Sequence, residues 1–397
     1  MTQPWLDKDY LHTQIRGVLD FYQQNGVRPE GGFYQQLDAQ GQHAENDIHH
    51  LVSSTRIVVN FARGKILFGD AEYTQQVRHG LAFIRDQHRW PDGRGYHWLL
   101  ADSKPEDSDQ YCYGYAFLML AYANALQAGV EAAGPWLTET FDLMETYFWQ
   151  PKDGLYADQL SADLKTLDSY RGQNANMHAC EALIAAYEAT NQRHYLERAL
   201  VLADKVVISN THSTDGLLWE HYDQHWQPDW DYNRQDPQNL YKPWGYQPGH
   251  FTEWAKLLLM LNAHAPKPWL VERAHKWLQL AWEKAWDANY GGLFYGFDPD
   301  YKICDNHKYF WVQAETLAAQ AWLINTTQHT DLQTRFDQLA AYIEEHFIVP
   351  NQTIWHRLLS HDNQPLDNWI ALPGAKCDYH NLGACYDILC SLDIHQA

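Results

Sequence analysis

A short phrase recurs six times along this chain and limits what the chain can fold into. Five copies set a glycine before a large apolar or aromatic residue, with acidic turn residues close by: Gly32-Phe33, Gly95-Tyr96, Gly154-Leu155-Tyr156, Gly216-Leu217-Leu218-Trp219 and Gly292-Leu293-Phe294. The sixth, Thr353-Ile354-Trp355, has lost the glycine. After each phrase comes a polar loop and then a segment rich in alanine and other apolar residues at helical spacing. These segments are residues 54–62, 113–125, 176–189, 250–261, 311–323 and 380–389. A second helical segment follows most of them, as at residues 195–207 and 270–285. Repeating units of roughly sixty residues are longer than those of most open helical solenoids. The period therefore predicts an all-α (α/α)6 barrel, a closed toroid of six helical hairpins with short β-hairpin loops at one mouth. No linker or low-complexity tract interrupts it, so residues 1–397 read as one catalytic domain.

The alanine-rich helices form the inner ring in this arrangement, because small side chains let helices approach closely, and their first turns face one cavity. Reading those positions gives Arg56, His178, His250 with Glu253, Glu315 and His380. Taken alone, each has an ordinary explanation as a helix cap, a satisfied core group or a structural ion pair. Their recurrence at equivalent places in separate units points instead to a site. His250 and Glu253 stand at i and i+3 on one helix face. The expectation is that the carboxylate holds one imidazole nitrogen and makes the other more basic.

Composition narrows the substrate. The 18 Trp and 25 Tyr supply flat amphipathic rings, which suit sugars because C–H faces stack on them while hydroxyls meet a polar rim. With 50 acidic against 29 basic residues, a net charge of −21 and no Lys/Arg run, the chain lacks the basic stripe that nucleic acid or an anionic membrane requires. The first thirty residues carry Asp7, Asp9, Asp20 and Glu30 and no apolar signal region, and the longest apolar stretch, near Leu257–Leu261, is too short to span a bilayer. Six cysteines without C-x-x-C spacing read as free thiols of a cytoplasmic protein. No H-E-x-x-H, P-loop, G-x-G-x-x-G or G-x-S-x-G motif occurs; Asp47-Ile48-His49-His50 lacks the periodicity of metal ligands, and His212, His221 and His225 form only a loose loop cluster. No metal and no cofactor are expected. The expected partner is a small monosaccharide, and the expected state a monomer or small homo-oligomer.

Four phrases, in order and spanning most of the chain, carry a family resemblance: Tyr170-Arg171-Gly172-Gln173-Asn174-Ala175-Asn176-Met177-His178-Ala179, Pro248-Gly249-His250-Phe251-Thr252-Glu253-Trp254, Lys308-Tyr309-Phe310-Trp311-Val312-Gln313-Ala314-Glu315 and Asp378-Tyr379-His380. They resemble the N-acylglucosamine 2-epimerase superfamily, whose members fold as (α/α)6 barrels, and within it the aldose–ketose isomerase branch. The resemblance implies interconversion of D-mannose and D-fructose through a cis-enediol. It implies that His250 and His380 are the acid–base pair, that His178 assists ring opening and placement, and that Arg56 faces the oxygens near C1 and C2. Asn174, Gln313 and Glu315 fall in the matching phrases as substrate contacts, and Trp311, Trp369 and Trp244 are candidate stacking platforms. Sulfoquinovose isomerases of the same branch place an arginine where Lys242 stands here. A lysine lacks the bidentate fork, which favours a neutral sugar. Delivery of the proton to the far face of C2 makes a 2-epimerase from the same residues, so that alternative stays open, as does sulfoquinovose isomerisation. From other classes, a glycoside hydrolase on the same toroid would use paired carboxylates such as Asp109, Asp231 and Asp305, and a sugar-binding protein would need the tryptophans alone.

Overall fold

The computed structural model describes residues 3–239, 241–327, 331–366 and 377–393. Among these, twelve α-helices alternate between two concentric rings. The inner ring is α2 (Leu51–Phe68), α4 (Cys112–Gln127), α6 (Gln173–Thr190), α8 (Pro248–His264), α10 (Phe310–Thr327) and α12 (Tyr379–Asp393). The outer ring is α1 (Lys8–Asn25), α3 (Ala71–Phe83), α5 (Ala133–Tyr147), α7 (Arg193–Ala203), α9 (Pro268–Ala285) and α11 (Asp331–His346). Each inner helix packs on the next, α12 returns to α2, and α1 packs on α12, so the (α/α)6 barrel is closed.

The two rings differ as their sequences require. In α4 every residue from Gly114 to Ala125 is buried, as expected of a helix covered on all sides. Helix α9 buries one stripe, Leu270, Ala274, Trp277, Leu278, Ala281 and Ala285, and turns its charged face outward. Prolines at the first positions of α8 and α9 set the starting dihedral without costing a hydrogen bond. Helices α3 and α7 end in π-helical turns, Ile84–His88 and Asp204–Ser209. The inner helices begin earlier than periodicity alone indicates. Polar residues of the first turn, such as Asn174 and Gln173, blur the apolar pattern where the chain meets the cavity.

The recurring phrases build the mouth. A short extended segment leads into each of five inner helices and pairs antiparallel with the hairpin of the following unit: Ile48 with Ala101, Gln110 with Leu160, Arg171 with Tyr222, Tyr246 with Phe297 and Lys308 with Leu359. Side chains near the inner-helix starts then clasp the recurring phrases. Gln110, Asn176 and Gln313 each accept from the amide N–H and donate to the carbonyl of Tyr96, Tyr156 and Leu293 respectively. Asp378 accepts from Trp355 N–H in the copy without glycine, where Asn351 supplies the left-handed turn residue (φ 63°). No helix among the described residues is long and apolar enough to cross a membrane.

Candidate active site

The first turns of the inner helices surround a cavity of about 510 Å³, within the range of small-molecule sites. Its wall includes Arg56 from α2, Tyr113 from α4, Asn174 and His178 from α6, His250 and Glu253 from α8, Trp311 from α10 and His380 from α12. The closed ring thus brings together residues that lie more than three hundred positions apart.

Three histidines on this wall share one arrangement. His178 Nδ1 lies 2.9 Å from Glu181, His250 Nδ1 2.9 Å from Glu220, and His380 Nδ1 2.8 Å from Glu315. A neutral imidazole that donates from Nδ1 to a carboxylate leaves Nε2 unprotonated, the form a base requires. Burial, then Glu181 working against it and Arg56 working with it, places the His178 ring below the ordinary histidine range. Burial, reinforced by Arg56, His178 and Lys256, holds His380 well below that range. Both are therefore neutral near neutral pH. The Trp311 indole lies between the two rings of the proposed pair, its centroid 5.1 Å from His250 and 5.9 Å from His380. Gly249 permits this approach, because a Cβ there would come within 2.4 Å of the indole.

Arg56 is one of three cations that line the cavity, with Lys242 and Arg357. Its guanidinium lies over the rings of Phe117 and Tyr379, 4.5 and 4.9 Å from their centroids, and donates to the Tyr113 hydroxyl at 3.1 Å. Burial works against its charge, but Tyr113, Tyr379, Cys377 and Glu253 outweigh it and keep the group protonated. Glu253 behaves in the opposite way. Burial, and then the neighbouring Glu315, raise it well above the carboxylate range, so it carries a proton on the cavity wall.

Two sets of buried ligand-type side chains converge within 4.8 Å: His178–Glu181–Glu253 and Glu253–Glu315–His380. In each the histidine Nδ1 already engages a carboxylate, and in the second the Lys256 ammonium sits 2.6 Å from Glu315. The negative charge of the second set is thus met from within the protein. Of the loose loop histidines, His221 is occupied otherwise, contacting the Tyr170 hydroxyl through Nδ1 and the Pro243 carbonyl through Nε2.

A family model for N-acylglucosamine 2-epimerase matches residues 32–384. The chain belongs to the N-acylglucosamine 2-epimerase family. It is 44% identical to a D-mannose isomerase of Marinomonas mediterranea over 397 residues, covering 99% of this chain and 100% of that one. A crystal structure of a D-mannose isomerase superposes with a TM-score of 0.94 at 44% identity, covering 97% of this chain and 98% of the other. The cellobiose 2-epimerase of Bacillus thermoamylovorans shares the fold at TM-score 0.83 and 17% identity, with 98% of this chain and 100% of that chain covered.

Within this family frame several expected contacts move. Glu253 is not the partner of His250. That carboxylate is Glu220, from the hairpin preceding α8, and Glu253 lies 3.9 Å from His178 instead. Gln313 is not on the cavity wall, because both ends of its amide are used on the Leu293 backbone. Glu315 lies behind His380 rather than on the wall. Trp244 also stands off the cavity and donates its indole N–H to the Trp230 carbonyl at 2.7 Å. Trp369 lies outside the described residues. Asn174 is on the wall with a buried Oδ1 that has no hydrogen-bond partner among the described residues, and Lys242 is at the rim with its ammonium 3.8 Å from the Tyr170 ring centroid. The hydrolase carboxylates are elsewhere: Asp109 binds Ala162 N–H and Gln159, Asp305 pairs with His307, and Asp231 is exposed.

Sequence reasoning missed Glu220, Glu181, Tyr113, Lys256, Asp158 and Arg357. Only Glu181 carried a local signal, three residues after His178 on the same helix. Burial raises the cavity-lining Asp158 to about 7, with the Gly172 N–H, Lys242 and Arg171 acting against the rise.

Proposed function

We propose that this protein is an aldose–ketose isomerase that interconverts D-mannose and D-fructose through a cis-enediol. The observation that carries the reading is the pair His250 and His380, each bound at Nδ1 by a buried carboxylate and flanking Trp311 beside the Arg56 cation. The 44% identity to a D-mannose isomerase along the whole chain supports the substrate.

The chemistry follows from these groups. The pyranose opens to the free aldehyde, with neutral His178 taking the anomeric hydroxyl proton and protonated Glu253 available to the departing ring oxygen. The unprotonated Nε2 of His380 then removes the C2 proton. The C–H electron pair forms the C1–C2 double bond, and the carbonyl pair moves to O1, whose negative charge Arg56 stabilises. Loss of the O2 proton and return of a proton to C1 give the ketose, with His250 exchanging protons with the oxygens. General acid–base catalysis of this kind contributes about 10²–10⁴-fold. The charge stabilisation that a metal supplies in other isomerases falls here to Arg56, and the reaction proceeds without a metal or organic cofactor. Six free cysteines, four of them buried, support a reducing compartment such as the cytoplasm.

Proton NMR of D-mannose in deuterated buffer tests this reading. Fructose carrying deuterium at C1 is the expected product. Glucose as the first product would replace isomerisation with 2-epimerisation, and an inert mannose would overturn the substrate. Loss of turnover on treatment with EDTA, restored by one added metal, would overturn the metal-free reading.

A further inference from the structure

The two histidine–carboxylate pairs are backed differently. Behind His250, Glu220 meets neutral groups among the described residues: Gln173 donates to the same oxygen at 2.9 Å, and Trp254 donates to Gln173 at 2.7 Å. Behind His380, Glu315 meets a full cation. Lys256 comes from the third turn of α8, is 3% exposed, and places its ammonium 2.6 Å from Glu315 Oε2 and 2.8 Å from Asp387 Oδ2. One lysine thus joins α8, α10 and α12 beneath the cavity without reaching its wall.

A lone ion pair in a protein interior is weak evidence of stabilisation, since desolvation offsets most of the attraction. This one sits directly behind a group that has to be an unprotonated base, and Glu315 and Glu253 lie with His380 in a cluster no wider than 4.8 Å. Without a cation there, the cluster would hold uncompensated negative charge and draw in a proton. Proton uptake at Asp387, the lysine's other partner, would leave the ring alone; uptake on the cavity side would fall on His380 or on Glu315. In the first case His380 becomes an imidazolium. In the second the protonated carboxyl donates to Nδ1 and pushes the ring proton to Nε2. Either outcome removes the base.

We propose that Lys256 is a positioning residue: by balancing Glu315 from below the cavity, it keeps His380 neutral, with its proton on Nδ1 and a free Nε2. The proposal rests on the isomerase reading for its consequence in turnover but not for its effect on the ring. The charged and titratable groups around His380 are Arg56 from α2, His178 and Glu181 from α6, Glu253 and Lys256 from α8, Glu315 from α10 and the adjacent Tyr379. On the α1 side, Tyr22 binds Asp378. Burial and the cations Arg56 and Lys256 all favour the neutral ring, so removing one cation moves its protonation to higher pH.

The test is the pH profile of Lys256→Met in the full-length enzyme, read beside nitrogen-15 NMR of the histidine rings with His380→Gln for assignment. The acidic limb of kcat is expected to move up by at least about one pH unit, a tenfold loss at the acidic end that recovers in alkali, with KM changed far less. Lys256→Arg, which keeps the charge, is expected to leave the limb in place. A folded Lys256→Met with an unmoved limb, whether active or uniformly weakened, overturns the proposal. Should that variant fail to fold, the wild-type ring decides. A neutral Nδ1–H tautomer from about pH 8 down to about pH 6 is expected, and an imidazolium at about pH 7 overturns it. The NMR readout needs no substrate, so a wild-type enzyme inert towards mannose would break the isomerase reading and leave this one standing on its own result.

Discussion

His178 and His380 solve the same problem over very different distances. His178 finds its carboxylate three residues away on its own helix, in Glu181. His380 finds Glu315 on the neighbouring inner helix, and His250 finds Glu220 in a loop thirty positions earlier. The local pair is fixed once α6 forms, since i and i+3 share a face. The other two exist only when the ring has closed and the hairpins have docked. Orientation of the proposed acid–base pair is therefore a property of tertiary structure, while orientation of His178 is a property of one helix.

The most severe way to break this contrast is to remove the rings themselves. His250→Ala and His380→Ala are each expected to lower kcat by about 10²–10⁴-fold with unchanged circular dichroism. Either variant retaining near-wild-type rates would take that residue out of the mechanism. Next come the carboxylates. Glu220→Gln keeps shape and a hydrogen-bonding group but loses the charge, and is expected to cost roughly 10–100-fold in kcat. Glu181→Gln is expected to cost less in kcat and more in KM, since in the proposed mechanism His178 serves ring opening and placement rather than proton transfer at carbon. Equal kcat losses from the two would erase the distinction between local and tertiary pairs.

The remaining tests read stability. Gln313→Ala leaves the buried N–H and C=O of Leu293 without their partner and is expected to cost about 2–6 kcal/mol in urea unfolding, at about 1–3 kcal/mol for each stranded group. A loss below about 0.5 kcal/mol would mean the clasp is incidental. The last effect is graded with pH. His50 and His88 are held neutral, both down to about 3, mainly by burial, so the unfolded chain takes up protons before the native one does. Their contribution is fully present above about pH 6.5 and is lost as the pH falls from there towards about 3, by up to about 1.4 kcal/mol per unit for each ring. His88→Gln should flatten this slope, and an unchanged slope would remove that ring from the account.

The same division governs how much of the molecule was legible. The six turn phrases and alanine-rich segments gave the closed barrel, because a repeat leaves its mark at every copy. Arg56, His178, His250 and His380 could be found because they stand at equivalent positions in different repeats. Glu253 was given to His250 on helical spacing, and that spacing was real. Nothing local, however, could show that α8 turns this carboxylate towards His178 while a hairpin delivers Glu220. Gln313 and Trp244 were placed in the site by neighbourhood in sequence, and burial sent one to clasp a backbone and the other to the outer loops. Lys256 gave no signal at all, since a lysine within a leucine-rich segment reads as a solvent-facing residue.

The staggered pairing at the mouth has a consequence for inheritance. Each of the five paired segments leading into an inner helix is hydrogen-bonded to the next unit's hairpin, so those loops do not drift independently. A residue inserted at a paired position would shift the start of a neighbouring helix and the catalytic side chain on it. The outward tips Asp223–Gln227 and Asp298–Lys302 close on their own turns. Descendants of this chain are free to lengthen there and acquire new rims for new sugars, while the spacing between paired segment and catalytic helix stays constant.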